Sequence, residues 1–257
     1  MGALVSLAVC LGVKSVRAAP QTGLEPVKII PVVWGQIDPE VRAVIPHFYD
    51  DFTSKLIPTG YTQALAEYGV GQHISWPGNS FDIGFVTGWP YDVTAVSSLN
   101  ASGIESPEDV RLMFTQTLPG TLYGTPILPD PACPVPSAGQ TESFSNLLYV
   151  VHVPPGITLL DEQFKADVCG YHDTMTVQEV SGSQIYNCTF AWAIMEECGD
   201  GDVVTTTGIH PGTINEYTTV LSHELIEAIV DPWSNRMTPD PQNPNKEVHL
   251  EVGDICK

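Results

Sequence analysis

The sequence predicts an α+β fold: one mixed β-sheet flanked by helices, in a chain of 257 residues. Two short apolar runs rich in β-branched residues, 27–34 (VKIIPVVW) and 147–153 (LLYVVHV), predict buried strands. Helical patterns lie between and after them, and this alternation is typical of a sheet covered by helices. Pro31 within the first run predicts an edge position or a bulge, because proline donates no hydrogen bond to a neighbouring strand.

Three helix starts are marked by capping residues or apolar periodicity. Asp38 followed by Pro39 predicts an N-cap and a first helical residue, and Pro46 predicts a kink further along that helix. A second helical stretch is expected at 62–68, and a third helix over 106–114. Without internal repeats or a linker, these elements are expected to form a single domain.

The charge balance excludes several classes of protein. Thirty acidic and ten basic side chains give a formal charge of −20. So few Lys and Arg residues can hardly form a basic patch, so we expect no nucleic-acid partner and no binding to an anionic membrane surface. An acidic surface suits metal cations or cationic substrates.

The N-terminus predicts secretion. An apolar run (MGALVSLAVCLGV) is followed by Lys14, Arg17 and a small-residue stretch that offers cleavage after Ala18 or Ala19. We therefore expect residues 1–19 to be a signal peptide and residues 20–257 to be the mature domain, released outside the cell. No later segment is apolar for long enough to cross a bilayer, so the protein is not expected to be an integral membrane protein.

Secretion changes the interpretation of the cysteines. Removal of the signal leaves Cys133, Cys169, Cys188, Cys198 and Cys256. None is spaced C-x-x-C, and disulfides are the default in an oxidising compartment, so we expect at least one bridge among the three cysteines of 169–198. Because five is odd, either one thiol stays free or a partner lies beyond Lys257 in a truncated chain. Sequons at Asn100 and Asn187 permit N-glycosylation.

The clearest chemical motif lies in a helix predicted from Thr213 to Asp231. Thr213 and Glu216 have the spacing of a capping box. Within the helix, His223 and Glu227 are four residues apart and therefore project from one face, where they could bind one metal ion. This H-E-x-x-E pattern by itself also fits a solvated helix face. The flanking apolar residues argue against full exposure.

The chemistry of this helix depends on the residue between the two ligands. Glu224 occupies the position of the general base in H-E-x-x-H proteases, so the segment is interpreted as a zincin-like active-site helix with zinc as the metal. Two ligands do not complete a catalytic zinc site. A third ligand is expected from 246–256, where strand alternation would place Glu247, His249 and Glu251 on one face.

Four segments together resemble the exordium, or phosphate-induced, proteins of plants. They are 28–35 (KIIPVVWG), 168–172 (VCGYH), 222–228 (SHELIEA) and 251–256 (EVGDIC). The resemblance implies a secreted protein of the extracellular space or cell wall, while the activity of that family is poorly defined. The plant proteins have a further cysteine where this chain has Lys165, so their disulfide pattern is not transferred.

Two functions are compatible with these residues. The first is a secreted zinc peptidase acting on peptide or protein substrates, with Glu224 as base and His172 as oxyanion stabiliser. Similarity to the gluzincin arrangement favours Glu251 as the third ligand, with Asp254 supporting a ligand. The second is a non-enzymatic extracellular protein with a structural ion. Calcium becomes the alternative metal there, because Glu224, Glu227, Asp231, Glu251 and Asp254 would all offer oxygen.

Overall fold

The computed structural model describes residues 26–35, 37–56, 74–75, 91–92, 104–118, 133–154, 157–161, 166–196, 211–230, 232, 237–240 and 243–249. Several sequence predictions lie outside these residues: the signal peptide 1–19, the helix at 62–68, Asn100, Cys198, Asp231, Glu251, Asp254 and Cys256.

The order of the elements confirms the α+β class. They are β1 (Val27–Val33), α1 (Pro39–Asp51) continued by a π-helical turn (Phe52–Leu56), β2 (Ile74–Ser75), β3 (Tyr91–Asp92), β4 (Ile104–Glu105), α2 (Pro107–Thr117), β5 (Glu142–His152), β6 (Thr158–Asp161), β7 (Ala166–Val168), β8 (Gly170–Ser181), β9 (Gln184–Met195), α3 (Pro211–Val230), β10 (Met237–Asp240) and β11 (Asn243–His249).

The main sheet is mixed, as predicted. Its strands run in the order β2-β1-β5-β9-β8, and β3 also pairs with β1. The long strands β1, β5 and β9 are parallel, whereas β8 is antiparallel to β9. A tight turn at Gly182, with φ of 62°, joins β8 to β9 as a hairpin. The short strands β4, β6 and β7 form a separate sheet, and β10 pairs with β11.

Pro31 lies within β1 without a bulge. It is in regular parallel register with Val150 of β5. On the other side of β1, β2 pairs with residues 27–28 and β3 with residues 32–33. Among the described residues, Pro31 therefore faces the gap between these two short strands, where its missing N–H costs no ladder hydrogen bond.

Helices cover both faces of the main sheet. On one face, α1 and α3 bury apolar side chains against β1, β5 and β9; these include Val41, Ile45, Tyr49, Leu221, Leu225 and Ile229. On the other face, Phe114 of α2 packs edge-on against Tyr149 of β5 and Phe190 of β9, with ring centroids 5.3 and 5.1 Å away. The sheet is thus the middle layer between two apolar cores.

Of the two predicted N-caps, the one at Asp38 is present, and the helix predicted to start at Ser106 does so. The Asp38 carboxylate accepts a hydrogen bond from the Glu40 N–H (2.7 Å), and α1 continues through Pro46. Ser106 caps α2 in a capping box, and this helix extends beyond the predicted end at 114, to Thr117. The Thr213 cap is wrong: α3 begins at Pro211, a residue type whose fixed φ and missing N–H suit a first helical turn.

A disulfide ties the loop before β5 to β9. Cys133 and Cys188 are bonded, with their Cα atoms 5.6 Å apart. Cys188 therefore pairs outside the 169–198 group, so the bridge that we expected within that group does not involve Cys188. Cys169 is also disulfide-bonded. None of the helices in the described part of the chain combines the length and hydropathy needed to span a bilayer.

Candidate metal centre

The site is built on α3, the helix that carries H-E-x-x-E. Leu221, Leu225 and Ala228 are fully buried and fix this helix against the sheet. Glu224 and Glu227 lie on neighbouring turns and are also buried, with 6% and 2% of their surfaces exposed. The packing of the helix thus carries two carboxylates into a region where an isolated charge is costly.

His172 meets these carboxylates from the sheet. It lies on β8 in register with Ala193 of β9 and is buried. Its Nδ1 is 3.2 Å from Glu224 Oε2, within hydrogen-bond distance, and 3.8 Å from Glu227 Oε2. One ligand atom from each of the three residues lies within 4.8 Å of the others.

His223 reaches the same carboxylates from within the helix. Its Nε2 is 3.2 Å from Glu227 Oε2, the i,i+4 contact that the sequence predicts, and 4.0 Å from Glu224 Oε1. Glu227 Oε2 therefore lies between the two histidines. The His223 side chain is 23% exposed, whereas those of His172 and the two glutamates are no more than 8% exposed. The cluster thus opens to solvent at His223.

His172, Glu224 and Glu227 could together hold a metal ion, and the spacing of the neighbouring His223 can be compared with that of zinc ligands. Two ligands bound tetrahedrally to zinc at 2.0–2.1 Å are about 3.3 Å apart. The His223–Glu227 distance of 3.2 Å is close to this value. Imidazole nitrogen and carboxylate oxygen are both ordinary zinc ligands. A bound cation would also compensate the charge of carboxylates in this buried region.

The structure brings together four of the six residues predicted to form the site. His223, Glu224 and Glu227 are clustered on α3, and His172 joins them from β8. Glu251 and Asp254 lie outside the described residues. The segment predicted to supply the third ligand does form a strand, β11, over its described part.

His172 was predicted to stabilise an oxyanion. In the structure its Nδ1 lies beside the carboxylates of Glu224 and Glu227. Tyr171, Met175 and Val177 of β8 face the core beneath α2, and His172, in register with Ala193, projects to the opposite face, which α3 covers. No strand was predicted over 170–181, so the third ligand was expected only from the segment after α3.

A second buried histidine also contacts α3. His152, the last residue of β5, has its Nε2 3.1 Å from the Tyr49 hydroxyl, and its Nδ1 lies against the Tyr217 hydroxyl of α3. Burial lowers the pKa of His152 to about 3 and raises that of Tyr49 well above its usual value. His152 is therefore neutral at physiological pH.

No family model, curated protein or solved structure matches the chain. The resemblance to the exordium proteins accordingly stays a prediction.

Proposed function

We propose that His172, His223 and Glu227 bind one divalent metal ion, preferentially zinc, and that the protein is a secreted metal-dependent hydrolase acting on peptides. The observation that carries the proposal is the approach of both histidines to one buried oxygen. His223 Nε2 lies 3.2 Å and His172 Nδ1 3.8 Å from Glu227 Oε2. Two histidines and one glutamate form a known type of catalytic zinc site, with one position left for water or substrate.

The nitrogen donors favour zinc over calcium. Calcium takes six to eight oxygen ligands and seldom histidine. In the described part of the chain, two histidines and two carboxylates converge. The calcium alternative relied on further carboxylates at Asp231, Glu251 and Asp254, which lie outside that part.

Glu224 is proposed as the general base. Its Oε2 is hydrogen-bonded to His172, and its Oε1 is 4.0 Å from His223, so its carboxylate lies beside the proposed ligands. A bound ion would supply a Lewis acid that polarises the scissile carbonyl. Glu224 would accept a proton from the attacking water and pass it to the leaving amine.

A second arrangement is supported by the compactness of the His172, Glu224 and Glu227 group. If Glu224 itself binds the ion, the site has no base, and the metal is structural. The protein would then be a non-enzymatic extracellular protein. The group's ligand atoms all lie within 4.8 Å of one another, and this observation supports that alternative.

Secretion and the peptide substrate rest on different observations. The Cys133–Cys188 disulfide supports an oxidising compartment, as does the second bridge at Cys169. The peptide substrate rests on the similarity of H-E-x-x-E to the H-E-x-x-H motif of zinc proteases. An extracellular or cell-wall location is also what the exordium resemblance implies.

The Glu224→Gln variant tests whether Glu224 is the general base or a metal ligand. We expect wild type to bind one equivalent of zinc and to cleave members of a mixed peptide library. The variant should keep its zinc, measured by elemental mass spectrometry, and lose roughly 10²–10⁴ in rate, the usual contribution of a general base. Glu108→Gln is the matched control because this exposed carboxylate pairs with Arg111 within α2, on the sheet face opposite to α3.

Two outcomes would contradict the proposal. Loss of zinc from Glu224→Gln would identify Glu224 as a ligand and favour the structural ion. Zinc-loaded wild type that cleaves no peptide in the library, at mildly acidic or neutral pH, would refute the peptidase assignment.

A further inference from the structure

Gly170, the first residue of β8, lies directly against Glu224. A Cβ atom added to Gly170 would be 3.1 Å from Glu224 Cγ, 3.1 Å from the Ile194 carbonyl oxygen and 2.9 Å from Met195 Sδ. These distances are shorter than ordinary van der Waals contacts, so a side chain here would displace at least one neighbour. The Met195 thioether is flexible, whereas the Ile194 carbonyl belongs to the β8–β9 ladder.

The backbone conformation does not explain this glycine. Three other described glycines, Gly35, Gly139 and Gly182, have positive φ angles of 104°, 88° and 62°, where a side chain is strained. Gly170 is not among them and lies in a regular strand, where glycine is normally unfavourable. Space for the neighbouring side chain is the remaining physical reason for a glycine.

Gly170 shares one sheet face with His172. Residues two apart on a strand project to the same side, so the bare Cα of Gly170 adjoins the imidazole that contacts Glu224 Oε2. The aliphatic part of Glu224 therefore packs on Gly170, and its carboxylate reaches His172. The adjacent Cys169 holds this end of the strand, through its disulfide and through a hydrogen bond from Glu196 N–H to its carbonyl oxygen (2.9 Å).

We propose that Gly170 is a positioning residue for Glu224: its missing side chain admits the Glu224 stem against β8 and sets the carboxylate beside His172. The expected effect of Gly170 on the rate of hydrolysis rests on the proposed function. Its expected effect on the position of Glu224 does not. The proposal also gives a role to three of the four residues of the Cys169–His172 segment. The cysteine fixes the strand end, the glycine makes room for the base, and the histidine contacts it.

The test compares two glycine-to-alanine variants on the same hairpin. Gly170→Ala should displace Glu224 and shift the ¹⁵N resonances of the His172 imidazole in metal-free protein, because the Glu224 contact to Nδ1 is altered. It should also lower peptide hydrolysis about 10- to 100-fold. Gly182→Ala, in the turn, should lower Tm by about 2–4 °C through its positive φ and leave the His172 resonances and the rate unchanged.

A double variant tests whether Gly170 acts through Glu224. In the Glu224→Gln background, Gly170→Ala should cause no further loss of rate, since the base it positions is already absent. An equal further loss would refute the inference. Unchanged His172 resonances in folded Gly170→Ala would refute it as well. If wild type hydrolyses no peptide, the proposed function fails, and the resonance measurement still decides the role of Gly170.

Discussion

The protein holds two buried histidines against the same helix, in opposite chemical surroundings. His152 contacts Tyr217 of α3, and His172 contacts Glu224, about two turns later. Both imidazoles are less than one-tenth exposed. The nitrogens of His152 face two tyrosine hydroxyls, whereas Nδ1 of His172 faces two carboxylates. The two histidines are therefore alike in their burial and in their contact with α3. They differ in whether their partner side chains are neutral hydroxyls or carboxylates.

This difference separates a structural contact from a site suited to metal. A neutral imidazole has one donor and one acceptor nitrogen, and two tyrosine hydroxyls satisfy both without any charge. Two carboxylates beside a histidine leave negative charge in the interior, which a cation compensates. His152 lies at the carboxyl end of a parallel strand, a place where ligands often bind in open sheets, yet its surroundings are closed. The partner residues, more than the location, distinguish the histidine that is proposed to bind metal.

The strongest test of this comparison replaces each histidine by alanine. His172→Ala should lose the bound zinc, because a ligand is removed, and should keep the fold. His152→Ala should keep a full equivalent of zinc and lose on the order of 3 kcal/mol of stability, from a cavity and two buried hydroxyls that lose a partner. Elemental analysis and denaturant unfolding measure the two effects. Zinc retained by His172→Ala, or lost from folded His152→Ala, would contradict the comparison.

The pH dependence of stability provides a second test, which concerns the surroundings of His152 alone. The pKa of His152 falls from 6.5 to about 3 on folding, so between these values the unfolded state binds a proton that the folded state does not. The stability that neutral His152 contributes is complete above pH 6.5 and is lost as the pH falls, by up to about 1.4 kcal/mol per pH unit. His152→Gln carries no such proton. Its unfolding free energy should therefore decline less steeply than that of wild type between about pH 6 and 4.

Chemical denaturation in steps of pH measures the two slopes. All other titrating groups are common to wild type and His152→Gln, so their contributions cancel when the two slopes are subtracted. Equal slopes would show that His152 is protonated in the folded protein, and that its surroundings are less closed than the contacts with Tyr49 and Tyr217 indicate.

Much of the fold was predictable because its signals are local. The caps at Asp38 and Ser106 lie next to the residues they cap, and the β-branched run of β1 is contiguous. The strand spanning the 147–153 run was predicted, although β5 begins earlier, at Glu142. The hairpin of β8 and β9 was missed, although its alternation and the turn at Gly182 are visible in the sequence.

The site was predictable only where one helix determines it. His223 and Glu227 are four residues apart on α3, so helical geometry alone predicts their contact. The approach of His172 depends on β8 lying beneath α3, and that placement follows from the order of strands in the sheet. No local pattern encodes this order. Glu251 as a ligand stays a prediction, since it lies outside the described residues.

The smallest expected effect tests whether the two histidine clusters are independent. Tyr217→Phe removes the hydroxyl that contacts His152 Nδ1 and leaves a buried ring nitrogen with one partner fewer, which should cost about 1–2 kcal/mol of stability. The apolar residues of α3 still hold the helix against the sheet, so the zinc affinity, measured by chelator competition, should change less than about threefold. Thr218→Val is the matched control: its hydroxyl bonds to Ile214 within α3, and its loss should change stability by less than about 0.5 kcal/mol. A large fall in zinc affinity for Tyr217→Phe would show that the His152 contact also sets the position of Glu224 and Glu227. The tyrosine cluster would then belong to the metal centre, and the distinction between the two histidines would be wrong.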